Sequence, residues 1–113
     1  MAKYERRLKG NFDEVLELCE RAILEGRISA SFEDGSDFES NGTRLAVRIY
    51  ERYSAFGGNR VSLNLTLIGN NNELFLSAIT SGGSKAVFLK INTLGEESFL
   101  ETLETSIENY ISR

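Results

Sequence analysis

The stretch from Arg44 to Ile91 reads RLAVRIYERYSAFGGNRVSLNLTLIGNNNELFLSAITSGGSKAVFLKI. Its apolar residues fall on every second position within successive short segments, and they are Leu45, Val47, Ile49, Val61, Leu63, Leu65, Leu67, Leu74, Leu76, Ala78, Val87, Leu89 and Ile91. Successive side chains of a β-strand point to opposite faces of a sheet. The alternation therefore predicts an antiparallel sheet that buries one face.

Turn sequences between these segments predict how the strands pair. Asn41-Gly42 is a strong two-residue hairpin signal. Gly69 to Asn72 and Ser81 to Ser84 are predicted to form two further hairpin turns, each of four residues. Counting outward from each turn gives the facing residues: Phe38 with Leu45, Ser36 with Val47, Phe32 with Glu51, Leu67 with Leu74, and Leu76 with Leu89. A slip of one residue would turn each apolar set to the other face. Three hairpins thus agree on one buried face, which carries the odd-numbered residues of the segment 44–53.

Two amphipathic helices flank the alternating stretch. Asn11 and Glu14 form a capping pattern before a helix of about fourteen residues, which Gly26 is expected to end in the left-handed conformation. A second helix begins near Thr93 to Gly95, with an inward stripe of Phe99, Leu100, Leu103, Ile107, Tyr110 and Ile111. Residues 3–9 precede the first helix and are typical of a basic edge strand with Tyr4 and Leu8 on one side.

These elements predict one α+β domain over residues 1–113. The order is β-α-β-β-β-β-(β)-α, with a curved antiparallel sheet of five to six strands and both helices on one face. The sixth strand depends on whether residues 85–91 form a full strand. The order resembles the TATA-box-binding-protein-like fold, with the helix-grip fold as the alternative. A resemblance in element order transfers no function.

Composition excludes several classes of protein. Of 113 residues, 41% are hydrophobic and 27% are charged, which is ordinary for a globular domain, and no apolar run approaches the roughly 20 residues that span a bilayer. The net charge of −4 makes a nucleic-acid partner unlikely, because such binders usually carry a concentrated basic surface. The only cysteine, Cys19, cannot form an internal disulfide, so we expect a cytoplasmic protein.

No constellation of residues indicates catalysis, a metal site or a cofactor. The chain has no histidine and a single cysteine, and the acidic hairpin Glu33 to Asp37 lacks the spacing of a calcium loop. Cys19 lies on the apolar stripe of the first helix, where a small buried residue is expected. The glycines of residues 56–60 and 81–85 connect strands, and turns explain them without a phosphate. We expect a protein that is not an enzyme.

The outward face of the predicted sheet offers a candidate interface. Phe75, Ile79 and Phe88 cluster there, with Tyr50 and Arg48 on the neighbouring hairpin. An uncovered sheet face is usually polar, and clustered large apolar side chains are typical of a surface that meets another protein. We expect self-association as a homodimer, or another protein partner, with the arginines of the 44–52 segment forming either a charge ladder or a polar rim.

A cavity between the sheet and the helices is the alternative site. The predicted pairing places Glu51 on the apolar face, with Tyr4 and Tyr53 nearby. A buried carboxylate is costly unless it is paired, at the rim, or lining a cavity. Whether Glu51 is buried stays open at this point. In this interpretation the protein is a small-molecule carrier or sensor.

Three stretches resemble an uncharacterised family of short bacterial proteins, one of the domains of unknown function. They are residues 31–36 (SFEDGS), 50–54 (YERYS) and 80–84 (TSGGS). The resemblance covers essentially the whole chain. It implies a bacterial cytoplasmic protein of one domain, and it brings no known catalytic or binding residue.

Overall fold

The computed structural model describes residues 1–26, 30–53, 60–82 and 89–113, and the side chains of residues 53 and 89–98 lie outside the description. Seven elements follow in the order β1 (Ala2–Lys9), α1 (Phe12–Leu24), β2 (Ser31–Ser40), β3 (Thr43–Tyr53), β4 (Arg60–Asn70), β5 (Glu73–Gly82) and α2 (Leu89–Ser112). The predicted α+β class and element order are confirmed. Within the described ranges, neither helix is long and apolar enough to span a membrane.

The five strands form one antiparallel sheet in the order β1-β5-β4-β3-β2. The first strand pairs with the last, so β1 lies at one edge, as predicted, and β2 lies at the other. Both helices pack on the same face, which we call the helix face. The opposite side is called the outer face.

The core lies between the helix face and the two helices. Leu65 of the central strand, Val15 of α1 and Leu103 of α2 are all fully buried in it. The helices contact mainly β1, β5 and β4, and β2 extends beyond them, with all ten of its residues exposed. The inward stripe predicted for the second helix is confirmed for Phe99, Leu100, Leu103 and Ile107, which are buried.

Helix α1 begins as its sequence predicts. The Asn11 side chain accepts a hydrogen bond from the Glu14 amide at 2.9 Å, which satisfies a donor that the first helical turn leaves unpaired. The end of the helix differs from the prediction. Glu25 caps it through a bond from its amide to the Arg21 carbonyl, and Gly26 is not among the residues with positive φ.

The hairpin of β2 and β3 confirms the turn signal. Asn41 and Gly42 have φ values of 51° and 82°, the left-handed pair that this two-residue turn requires. Phe38 pairs with Leu45 and Ser36 pairs with Val47, as predicted. Further along, a bulge at Glu33 shifts the register, so Phe32 faces Tyr50 instead of Glu51.

The register of β4 and β5 is shifted by two residues from the prediction. The turn contains only Asn71 and Asn72, with Asn71 at a φ of 56°, so Leu67 pairs with Leu76 and Gly69 with Leu74. A shift of two residues preserves the side on which each side chain lies. The leucines of both strands are therefore buried as expected.

No described strand follows β5. Leu89 and Ile91, predicted to pair with Leu76 and Leu74, lie in α2, which begins at Leu89 and not near residues 93–95. The remainder of the predicted segment 85–91 lies outside the described residues. The second neighbour of β5 is β1, where Leu8 pairs with Leu74 and Tyr4 with Ala78.

The side assignment of β3 is the reverse of the prediction. Ala46 pairs with Leu67 and Tyr50 with Leu63, and all four side chains are fully buried on the helix face. The odd-numbered Leu45, Val47 and Ile49 therefore lie on the outer face and are only half-buried. The prediction was wrong because alternation treats the even-numbered Arg44, Arg48 and Arg52 as solvent-facing, whereas Arg44 and Arg52 pack against aromatic rings of the helices.

Candidate interaction surface

A continuous apolar row crosses the outer face. Phe38, Leu45, Ile68 and Phe75 are partners on four successive strands, and the row ends at Arg7 on β1. Phe38 is 64% exposed and Ile68 is 38% exposed, while Leu45 and Phe75 are half-buried. We call these four side chains the apolar row. An exposed apolar area of this extent, on a sheet face that the described helices do not cover, is typical of an interaction surface.

Further apolar side chains widen the surface beyond the row. Val47 and Ile49 follow Leu45 along β3, and Ile79 follows Phe75 along β5. Between them the central strand is polar, where Thr66 donates a hydrogen bond to Asn64 at 3.1 Å. Away from the apolar row, the surface is therefore apolar on β3 and β5 and polar on β4 between them.

The two edges of the outer face carry opposite charges. On β1, Lys3, Arg7 and Lys9 face outward, with Glu5 among them accepting a hydrogen bond from Ser77. On β2 the outward charge is Asp34. The basic edge and the acidic edge are separated by the full width of the sheet.

A hollow of about 480 Å³ indents the outer face beside the apolar row. It lies at the end of the sheet that carries the β4–β5 turn and extends from β1 to Thr43 of β3. Most of its lining belongs to the outer face, including Arg7, Ile68 and Phe75, while Leu8, Gly69 and Leu74 also contribute. Phe38 projects at the opposite end of the same row. The surface thus has a projection at one edge and a depression near the other.

The structure separates the five residues predicted for the interface. Phe75 and Ile79 lie on the outer face, where they were predicted. Tyr50 and Arg48 lie on the helix face, which corrects the prediction and follows from the reversed side assignment of β3. Phe88 lies outside the described residues.

The three arginines of β3 face the helices instead of forming an outer rim. The Arg44 guanidinium binds the Asp13 carboxylate at 2.9 and 3.0 Å and lies 4.2 Å from the centre of the Phe12 ring. Arg52 lies 4.5 Å from the Phe99 ring centre. Such contacts combine ion pairing with cation–π attraction, so the arginines help to hold the helices on the sheet.

Arg48 lies between the other two arginines and binds β2. Its guanidinium donates to Asp37 at 3.0 Å and to the Ser36 carbonyl at 3.3 Å. The side chain is largely buried. Arg48 therefore stabilises the part of the hairpin that extends beyond the helices.

Tyr50 is fully buried, and its hydroxyl has no hydrogen-bond partner within the described part of the chain. Its ring meets the Phe32 ring edge-on at a centroid distance of 5.9 Å. Burial raises the pKa of the Tyr50 phenol, so the group stays neutral. An unpaired buried hydroxyl lowers stability.

We expect Tyr50→Phe to raise the free energy of unfolding by about 1 kcal/mol, because it removes the unpaired hydroxyl and retains the ring. Urea denaturation at neutral pH measures the change. The matched control is Tyr4→Phe, which removes a bonded hydroxyl and should lower stability by about 1 kcal/mol. A Tyr50→Phe variant less stable than the wild type would contradict the expectation.

Of the three residues predicted to line a cavity, Tyr4 and Glu51 are not brought together. The Tyr4 hydroxyl lies on the helix face and donates to Glu108 of α2 at 2.6 Å, and Arg6 binds the same carboxylate at 2.9 Å. The hydrogen bond from Tyr4 and that from Arg6 lower the pKa of Glu108. This cluster ties β1 to α2, so Tyr4 has a structural partner.

Glu51 lies on the outer face, which answers the question of its burial. It binds Arg60 and accepts a hydrogen bond from Ser62 at 3.1 Å. The side chain is about one quarter exposed. Glu51 and Tyr4 are on opposite faces of the sheet and do not line one cavity, which corrects the prediction for these two residues. The Tyr53 side chain lies outside the described residues.

Cys19 is fully buried in the core, as its position on the apolar stripe predicts. Burial raises the pKa of its thiol to about 12. Since the thiolate is the reactive form, the buried thiol is protected in the folded protein. Among the described residues there is no group of three potential metal ligands.

Sequence reasoning missed three members of the apolar row, namely Phe38, Leu45 and Ile68. Leu45 was placed on the helix face by the reversed assignment of β3. Ile68 breaks the alternation beside Leu67, and this break is the signal that could have found it. The pairing of Phe38 with Leu45 was predicted correctly, so the wrong side assignment of Leu45 placed Phe38 on the helix face as well.

Comparison with known proteins identifies a family. The model of a family of unknown function, DUF6054, matches residues 1–111. No curated protein and no solved structure matches the chain. The resemblance to a domain of unknown function is confirmed, and the resemblance to the TATA-box-binding-protein-like or helix-grip fold stays a prediction.

Proposed function

We propose that this chain, which belongs to the DUF6054 family of unknown function, is a self-associating domain whose outer sheet face binds a second copy of itself. The observation that carries the proposal is the apolar row of Phe38, Leu45, Ile68 and Phe75 on a face that the described helices leave uncovered. Its role in this proposal is binding and not catalysis. The single buried thiol supports a cytoplasmic location.

A second copy is favoured as the partner because the face is complementary to itself. It carries a basic edge on β1 and an acidic position, Asp34, on β2. It also carries both a projecting Phe38 and a hollow. Because one face carries both the basic and the acidic edge, and both the projection and the hollow, two identical faces can match each other in the isologous interface of a two-fold dimer.

The area of the face suits a reversible dimer. Five strands about 4.8 Å apart, over the length of the eight-residue β1 at about 3.4 Å per residue, cover roughly 24 by 27 Å, or about 650 Å² per copy. Two copies together would bury about 1,300 Å², near the lower bound for stable interfaces. We therefore expect a Kd on the order of micromolar.

Sedimentation velocity over a wide concentration range tests the proposal. We expect the wild type to sediment as a dimer at high concentration and Ile68→Asp to remain a monomer, because a charge would be placed within the apolar row, opposite its own equivalent. The matched control is Leu24→Asp. Leu24 is 39% exposed, against 38% for Ile68, and it lies at the end of α1 away from the outer face.

The control should dimerise like the wild type, and circular dichroism should show that both variants are folded. A wild type that stays monomeric at the highest concentration would refute self-association. Equal dimerisation of Ile68→Asp and the wild type would place the interface elsewhere.

A further inference from the structure

The geometry of the outer face restricts how two copies can meet, an inference that rests on the proposed self-association. When two sheets pack with their strands aligned, a two-fold axis between the faces runs either nearly parallel or nearly perpendicular to the strands. A parallel axis over the central strand β4 places β1 of one copy against β2 of the other. A perpendicular axis places each strand against its own equivalent.

The shape of the face favours the parallel axis. With that axis, Phe38 of each copy lies over the β1 side of the other copy, where the hollow lined by Arg7, Ile68 and Phe75 is found. Phe75 then faces Leu45, and Ile68 meets its own equivalent on the axis. A perpendicular axis would stack the two Phe38 edges on each other and leave both hollows unfilled.

The charges favour the same axis. Lys3 and Asp34 lie in one cross-strand register, joined through Ile79, Asn64 and Ile49. The parallel axis therefore brings Lys3 near Asp34 of the second copy. The perpendicular axis would instead oppose the basic residues of two β1 strands, and opposed like charges weaken an interface.

Sheet twist is compatible with these contacts. Aligned sheets pack at an angle of about 30°, which displaces an edge strand along its partner by about 5 Å. Successive outward residues of a strand are about 7 Å apart. Each edge residue thus stays within reach of the partner residue in the same register.

We propose that two copies pack outer face to outer face around an axis parallel to β4, with Phe38 of each copy inserted into the hollow of the other. Arg7 lines that hollow and lies against the inserted ring. Each copy therefore contributes both a projection and a receptor, and the interface contains every contact twice.

Cross-linking of cysteine variants on β4 distinguishes the two axes. Asn64 and Asn70 are exposed on the outer face and lie six residues, or about 20 Å, apart along one strand. With the parallel axis each of them lies near its own equivalent, so Asn64→Cys and Asn70→Cys should both give covalent dimers with a short bis-maleimide. With the perpendicular axis at most one of them can react.

The wild type serves as the control for cross-linking, because its only cysteine is buried with a raised thiol pKa. It should give no covalent dimer. Efficient dimers from both variants support the proposed axis. Reaction at one position only would overturn the proposed axis, while the proposed self-association would still rest on the sedimentation result. A monomeric wild type would overturn both proposals.

Reversal of one charge gives an independent test, because the two axes predict opposite changes in the dimer Kd. Under the parallel axis, Lys3→Glu faces Asp34 and should raise the dimer Kd about threefold, and adding Asp34→Lys should restore it. Under the perpendicular axis, Lys3→Glu would face Arg7 and lower the Kd. A tighter dimer for Lys3→Glu would therefore overturn the inference.

Discussion

We expect replacement of Tyr50 with alanine to lower the free energy of unfolding by about 3–5 kcal/mol, whereas replacement of its neighbour Ile49 should lower it by only about 1 kcal/mol. Tyr50 is fully buried beneath the helix layer, so truncation leaves a cavity and removes the edge-on contact with Phe32. Ile49 lies half-buried on the outer face, where solvent fills the space that its side chain leaves.

Urea denaturation of both variants measures the difference, at concentrations below the dimer Kd so that self-association does not contribute. The two residues are adjacent in β3 and face opposite sides, which makes each the control for the other. A greater loss for Ile49→Ala would show that the side assignment of β3 is the one that sequence alternation predicts.

We expect replacement of Leu103 with alanine to lower the free energy of unfolding by about 2–5 kcal/mol. Leu103 is fully buried in the core at the middle of α2, and the cost combines the lost transfer energy with the cavity left behind. The matched control is Thr105→Ala, two residues further along the helix at an exposed position. It should change stability by less than about 0.5 kcal/mol.

Thermal or urea denaturation with circular dichroism checks this pair. Comparable losses for the two variants would mean that α2 does not present Leu103 to the sheet. Because α2 contacts β1, β5 and β4, a large loss of stability for Leu103→Ala alone would also confirm that α2 packs on the helix face of the sheet.

The parts of the fold that sequence predicted well are those with a local physical cause. Asn41-Gly42 fixed its hairpin because few other residue pairs accept two successive positive φ values. Asn11 fixed the start of α1 because its side chain satisfies an amide of the first turn. The leucines of β4 and β5 fixed their buried side because the alternate positions are mostly polar.

The parts that sequence could not predict depend on contacts between distant residues. In β3 the outer side carries three aliphatic residues and the helix side carries three arginines, and two of these arginines face the helices because Arg44 packs on Phe12 and Arg52 packs on Phe99. The start of α2 was missed because a short apolar run such as residues 87–91 fits either a strand or a helix. Two of the five residues predicted for the interface, Tyr50 and Arg48, lie on the helix face for the first of these reasons.

The bulge at Glu33 has a consequence for aggregation. Among the described strands, β1 and β2 form the two edges of the sheet, and one is basic while the other is acidic, so edge-to-edge pairing between molecules would be attractive. Such head-to-tail pairing does not close on itself and leads to fibres. The bulge interrupts the regular ladder of β2 at the end where Ser31 and Phe32 lie, which leaves a shorter template for an incoming strand. The bulge therefore shortens the stretch of β2 on which another strand can add.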